Sequence, residues 1–356
     1  MLREIFRIEC LPVLQNKVYS TKKEAEGAVT GEVVLVQDEN TGLIYNAAFD
    51  PGLIQYDENY QNEQAFSEAF RRHLDDVSGI IERNFSGCNL LEVGCGKGYF
   101  LEHLKNKGFS IKGIDPAYEG SDPDILKAPF EPGSGVEGDA IVLRHVLEHI
   151  QDPLGFLGSI ASANGGKGLI YIEVPCFDWI CTNRAWFDIF YEHVNYFRLA
   201  DFYRMFGSVV EAGYVFNRQY LYVVAELASL RMPTRSGVTE VVMPPDFLDG
   251  IKRVENIANS NQKNVVWGAS SKGVIFSIYM ARHGIELGFA VDINPAKQGR
   301  YLASTGLMVK SPEHAFREMS EGDRIFIMNS NYLSEIVACS GNRYSYYEVQ
   351  SAAILS

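Results

Sequence analysis

The segment NLLEVGCGKG, residues 89–98, constrains this chain more than any other. Its apolar half has the length and composition of a buried strand. The strand runs directly into Gly94-x-Gly96-x-Gly98, and YFLEHLKNKG then reads as a helix stopped by Gly108, with Lys105 and Lys107 in its last turn. Glycines at a strand-to-helix turn permit left-handed backbone and let main-chain N–H groups close on a ligand at the helix N-terminus. A dinucleotide site wants G-x-G-x-x-G. Here the third glycine comes one residue early and Tyr99 takes its place. The next apolar run, SIKGID, ends on Asp115, where a carboxylate can accept both hydroxyls of a ribose. Glu92 sits just ahead of the loop. The segment predicts a nucleoside-binding βαβ unit and argues against a standard dinucleotide site.

The alternation continues through DAIVLRHV and GLIYIEV to YLYVVAEL, which reads as the last strand of the unit. A repeated β-α pattern implies a parallel sheet with helices on both faces. RMPTRSG, residues 231–237, suits a linker. Beyond it the alternation restarts: strand NVVWGAS, helix KGVIFSIYMARHG, then strands LGFAVDINP and DRIFIMN. Ahead of the first unit, GEVVLVQ (31–37) and GLIYNAAF (42–49) flank a D-E-N-T turn, a hairpin signal. A helix is expected near 62–84, with Phe66, Phe70, Leu74 and Val77 on one face. The expected fold class is α/β: an N-terminal cap at 1–75, a Rossmann-like core at 76–232 and a second Rossmann-like C-terminal unit at 238–356. A chain of 356 residues is long enough for this division.

A net charge of −13 argues against nucleic acid or an anionic membrane as partner, so a small molecule is expected. No apolar run is long enough to span a bilayer, and MLREIFRIEC is charged where a signal peptide is apolar. The expectation is a cytoplasmic protein. The six cysteines are scattered, with no C-x-x-C pair, and are expected to be reduced.

Three further strings carry chemistry. His145-x-x-Glu148-His149 matches an inverted zinc-protease motif, but it closes an apolar strand and is read instead without metal, with His145 near the ligand and Glu148 and His149 structural, at the start of the following helix. WFDIFYEHVNYF follows the strand GLIYIEV, where open α/β sheets bind ligands, and holds Tyr191, Glu192, His193 and Asn195. Histidine titrates near neutrality and is the usual general base. Gly268-Ala-Ser-Ser-Lys-Gly273, with Asp292 ending the next strand, almost repeats the dinucleotide fingerprint, although Ser270 replaces the middle glycine. It admits an NAD-dependent oxidoreductase as an alternative, or a loop whose Lys272 faces the diphosphate of a substrate.

The E-x-G-x-G-x-G loop, Asp115 and the H-V-L-E-H segment resemble the class I S-adenosylmethionine (SAM) dependent methyltransferases. The resemblance implies SAM as cofactor, held by Glu92, Gly94, Gly96, Gly98, Asp115 and His145. The Y-E-H-x-x-Y-F string, VDINPAKQGRYL (291–302), SPEHAF (311–316), Asn331 with Glu335 and Ile336, and YDENYQNEQAFSEAFRRHL (56–74) resemble the sugar-nucleotide C-methyltransferases of deoxysugar biosynthesis, over nearly the whole chain. This implies methyl transfer to a carbon of a nucleoside-diphosphate 4-keto-6-deoxysugar. His193 would be the base, with Glu192 and Tyr191 positioning it or the sugar. Tyr56, Tyr60, Asn195, Lys272 and Asn331 would contact substrate. That family carries an N-terminal zinc site with a C-x-x-C-G segment. Here Asp38-Glu39-Asn40-Thr41-Gly42 stands there and Cys10 has no cysteine partners, so no metal is expected. Gln219-Tyr220 replaces a glycine-rich segment near the substrate. That change keeps an O- or N-methyltransferase on another small metabolite as the alternative.

Overall fold

The computed structural model describes residues 1–350 except 56, 58, 62–65, 132, 134–136 and 259–260. The cap is an antiparallel sheet of β1 (Leu2–Pro12), β2 (Thr30–Asp38) and β3 (Ile44–Asn46), in that order. The turn between β2 and β3 is closed by Asp38, whose carboxylate accepts the Asn40 N–H at 2.8 Å. The expected strand over 42–49 shortens to three residues. Asn46 Oδ1 accepts the N–H groups of Val34 and Ala48, at 2.9 and 3.1 Å, and this side chain ends the ladder.

Helix α1 (Glu68–Phe85) starts at Ser67, whose hydroxyl accepts the Phe70 N–H. Phe70, Leu74 and Val77 are buried at helical spacing, whereas Phe66 precedes the cap and is exposed, contrary to its expected place on that face. The core follows with β4 (Asn89–Val93), α2 (Tyr99–Asn106), β5 (Ser110–Ile114), β6 (Ile125–Leu126), β7 (Ala140–Arg144), α3 (Pro153–Ala163), β8 (Leu169–Pro175), β9 (Val209–Val215) and β10 (Tyr220–Glu226). The sheet order is β9-β10-β8-β7-β4-β5-β6. Strands β4 to β8 pair in parallel, but β10 runs antiparallel to β8 and to β9. The expectation of a wholly parallel sheet is therefore corrected. Only Phe216–Gln219 separate β9 from β10, and so short a connection can return the chain only antiparallel.

The C-terminal unit contains β11 (Asn264–Trp267), α4 (Ser271–Arg282), β12 (Phe289–Val291), β13 (Val309–Lys310), β14 (Arg324–Ile327) and β15 (Ser345–Glu348). Its sheet, β13-β12-β11-β14-β15, is parallel throughout. Strand order reverses at β4 in one sheet and at β11 in the other, and a glycine loop leaves each of these strands at its carboxyl end.

One apolar core runs through all three units. The fully buried Trp186 is its wedge, stacked on Phe276 at 6.0 Å and edge-on to Tyr279 at 4.7 Å. A short antiparallel bridge pairs Val18–Tyr19 of the cap with Tyr301–Leu302. All six cysteines are unbridged. Among the described residues no helix is long and apolar enough to cross a membrane.

Candidate active site

The first loop is packed tightly from below and open above. Gly94 has φ +75°, and a Cβ there would lie 2.3 Å from Val146 Cγ2. Gly96 has φ +55° and nothing within 4 Å of its Cβ direction, so any side chain would fill an open cradle. Asp115 fixes the loop: Oδ2 accepts the Gly96 N–H at 2.8 Å and Oδ1 the Ala117 N–H at 2.7 Å, leaving lone pairs for further donors. Gly98 caps α2 without a side chain. Glu92 is buried, its Oε2 lacks a hydrogen-bond partner, and burial pushes its carboxyl up to about 7 against the pull of Arg144, with Asp115 adding to the rise. These residues fit SAM. The cradle at Gly96 admits a ligand beside the open N-terminus of α2, Asp115 can take ribose hydroxyls, and Glu92 keeps an unmet buried acceptor.

Behind the loop lies a buried charge cluster. Glu173 Oε1 meets His73 Nε2 and His145 Nε2 at 2.9 Å each and Arg144 Nη2 at 3.1 Å, and Tyr171 donates to Oε2 at 2.6 Å. Burial alone would push Glu173 up, but Arg144, His73 and His145 hold its carboxyl well below the usual range. His145 also faces Glu148 Oε1 at 3.4 Å. Burial opposes its charge, yet the two carboxylates push it up to about 9. Residues 147–149 form a short 3-10 turn and α3 begins only at Pro153, so the H-x-x-E-H string does not lie on one helix.

A cavity of about 290 Å³ separates the two α/β sheets. His145, Glu148, His149, Phe190 and His193 line one side, and Gly268, Ser270–Gly273 and Asp292 the other, with Asn16 and Tyr60 from the cap region. His193 lies against Phe190, ring centroids 3.9 Å apart, and 5.1 Å from the His149 ring. Burial, reinforced by the neighbouring His149, His145 and Lys272, holds it well below the usual histidine range. It is a neutral imidazole with a cavity face.

The other expected site residues divide. Tyr60 lines the cavity. Glu192 stands behind it: Oε2 accepts the Gln15 N–H at 2.7 Å, Tyr60 and Asn16 are further partners, and burial raises its pKa. Tyr191 does not face the cavity. Its hydroxyl accepts the Asp50 N–H at 2.8 Å and its ring packs on Phe49, so it braces the cap. Asn195 is buried, donating to Ile150 O at 2.6 Å and Leu147 O at 3.3 Å, which shapes the 147–150 turn. Asn331 ties the C-terminal unit to the core through Phe216 O and Gln219 Oε1, at 3.2 and 3.4 Å. Lys272 lines the cavity, ion-paired to buried Asp188 at 2.8 Å and 5.2 Å from the Trp179 ring centroid. Tyr56 lies outside the described residues. Sequence reasoning missed Asn16, which no motif marks, and treated Glu148 and His149 as structural although both face the cavity.

The second loop repeats the first. Asp292 Oδ2 accepts the Ala269 N–H at 2.8 Å, as Asp115 does for Gly96. Gly273 is obligatory, since a Cβ there would fall 1.8 Å from Gly268 O. Two side chains already occupy the loop. Asn16 Oδ1 accepts the Ser271 N–H at 3.3 Å, and buried Lys297 donates to Ser270 Oγ at 2.6 Å and Ala269 O at 3.1 Å.

Residues 61–209 match the model of a methyltransferase domain family, and residues 249–346 that of the C-methyltransferase C-terminal domain family. Over 292 residues the chain is 25% identical to "C-methyltransferase NovU" of Streptomyces niveus, spanning 70% of this chain and 68% of that protein. Over 113 residues it is 27% identical to the "Ubiquinone biosynthesis O-methyltransferase" of Caulobacter vibrioides, spanning 27% of this chain but only 44% of that protein. A solved structure of magnesium protoporphyrin IX methyltransferase from Synechocystis with bound SAM aligns with TM-score 0.32 and 16% identity, over 44% of this chain and 80% of that one. Fold, loop and family matches together define a class I SAM-dependent methyltransferase. More particularly, its methyltransferase domain is joined to a C-methyltransferase C-terminal domain.

Proposed function

We propose that the chain methylates a carbon of a nucleoside-diphosphate 4-keto-6-deoxysugar through an enolate formed by His193. The observation that carries this reading is the cavity wall: a neutral imidazole, without a hydrogen bond to its ring among the described residues, faces a helix N-terminal loop across a space of about 290 Å³. When bound, SAM supplies a methyl on a positive sulfur, which takes the bonding pair back as the new carbon–methyl bond forms. The protein must supply a base, alignment and exclusion of water. His193 accepts the proton from the carbon beside the keto group, and the electron pair passes into the enolate. Phe190 and burial keep the imidazole uncharged and ready to accept it. Tyr60 and Asn16 are placed to contact the sugar. The loop of Gly268–Gly273 and Lys272 faces the diphosphate, with Lys272 exchanging Asp188 for phosphate oxygens.

The test is substrate exchange in D2O with S-adenosylhomocysteine in place of SAM. Deuterium should enter the carbon beside the keto group with the wild-type enzyme. It should not enter with His193→Ala, which retains SAM affinity. Unchanged exchange in that variant removes His193 as the base. A second reading, O- or N-methylation of another small metabolite, is favoured by Gln219 and Tyr220, which line the cavity. It requires turnover with no such exchange.

A further inference from the structure

We infer that Glu148, His149 and His193 form a binding site for one divalent transition-metal ion in the wall of the cavity, and that its occupancy takes His193 out of use as a base. One ligand atom from each lies within 4.8 Å of the others. The three come from two segments that are locked together. The N–H groups of Val194 and Asn195 both donate to Glu148 O, at 2.8 and 3.0 Å. His149 Nδ1 lies 2.8 Å from Glu192 O. A carbonyl oxygen only accepts, so Nδ1 carries the hydrogen and the lone pair sits on Nε2. Fixing the outer ring nitrogen on a carbonyl is how metal-ligating imidazoles are oriented.

The other two each keep an unused ligand atom, although Glu148 Oε1 faces His145 Nδ1 at 3.4 Å. Glu148 is 1% exposed, and its Oε2 has no hydrogen-bond partner. The His193 ring contacts Phe190, His149 and Tyr196 but makes no hydrogen bond among the described residues. A buried carboxylate oxygen without a donor beside two imidazole lone pairs is an unmet demand for a cation. Small side-chain rotations bring such atoms to about 2.1 Å from a common ion, and the cavity leaves its remaining positions open. Two nitrogens and one oxygen favour Zn2+, Co2+ or Ni2+ over Mg2+ or Ca2+.

The surrounding charges permit a cation. Lys272 is paired with Asp188 at 2.8 Å, His145 lies between the carboxylates of Glu173 and Glu148, and the carboxylates of Asp292 and Glu335 also line the cavity. His145 is not a ligand, because both its nitrogens face carboxylates. The site therefore differs from the H-x-x-E-H arrangement dismissed from the sequence, and it departs from the expectation that the chain holds no metal. A metal on His193 uses the lone pair that would take the proton, so metal binding and proton abstraction exclude each other. This last clause rests on the proposed base; the site itself does not.

The experiment titrates the full-length, metal-free protein with Co2+ and follows its visible absorption, without substrate or SAM. Saturable 1:1 binding is expected, weakened at least tenfold in Glu148→Gln and in His149→Ala, with SAM affinity in both variants reporting an intact fold. Addition of one equivalent of Zn2+ should stop substrate deuterium exchange, and EDTA should restore it. If both variants bind Co2+ as the wild type does, or if no saturable 1:1 binding appears, the site is refuted. If exchange needs His193 while Co2+ does not bind, the proposed base survives and the metal site falls. If Co2+ binds as expected but exchange persists in His193→Ala, the site stands and the base falls.

Discussion

Replacing Glu173 with Gln removes one negative charge from a fully buried position shared by Arg144, His73, His145 and Tyr171. Four donors now converge on two carboxylate oxygens at 2.6 to 3.1 Å. A glutamine offers one acceptor oxygen and one donor nitrogen, so it cannot satisfy all four. The Arg144 side chain is only 8% exposed, and without Glu173 it has no carboxylate within 4 Å among the described residues, Glu92 acting on it only from farther away. Removing one member of a buried pair costs about 3–5 kcal/mol, because the stranded charge stays out of water. That is a large share of the roughly 5–15 kcal/mol that holds a typical domain folded. Urea unfolding at pH 7 measures it, as a lower midpoint at constant slope. The double variant Arg144→Met, Glu173→Gln should recover part of the loss, since it no longer buries the unpaired guanidinium. A loss under about 1 kcal/mol in the single variant, or no recovery in the double, refutes the view that Glu173 is the counterion of this cluster.

Three further outcomes are expected. Trp186→Ala empties the wedge between the core and α4 and should cost about 3–5 kcal/mol in denaturant unfolding; a loss below about 1 kcal/mol would mean that the units do not depend on this contact. Gly96→Ala should cost about 1–2 kcal/mol of stability for its left-handed backbone, yet weaken SAM at least tenfold by calorimetry, because the methyl fills the cradle; unchanged SAM affinity contradicts that placement. Glu211 is bonded by Arg83, Asn84 and Tyr222, and the Arg83 hydrogen bond leads in holding its pKa at about 2. A depressed carboxyl stabilises the fold above its unfolded value near 4.5, and this is lost as pH falls toward 2. With the side chain a quarter exposed, we expect about 1–2 kcal/mol. Glu211→Gln should flatten that part of the acid-unfolding curve, and an identical acid slope would count against it.

Both glycine loops were legible because their demands are local. The strand end, left-handed turn and helix start sit within ten residues, and each acid that fixes a loop ends the next strand. The partners that make the glycines obligatory were less visible: Val146, which crowds Gly94, lies beyond three intervening strands, β5, β6 and β7. Hydrophobic pattern located β10 but not its direction, which depends on the short turn back from β9. The Y-E-H string was found, yet its three side chains part company. His193 turns to the cavity, Tyr191 to Asp50, and Glu192 to the Gln15–Asn16 backbone. That division is set by the cap packing from far away in sequence. Glu148 and His149 reach the cavity because a 3-10 turn, rather than a helix, follows β7, and Asn16 reaches it across the cap.

The most direct measurement supplies SAM labelled with 13C at the methyl and a nucleoside-diphosphate 4-keto-6-deoxysugar, then reads the product by NMR. The account predicts a labelled methyl bonded to the ring carbon beside the keto group, formed by the wild type and not by His193→Ala. Label on oxygen or nitrogen, or product formed equally by that variant, would contradict it.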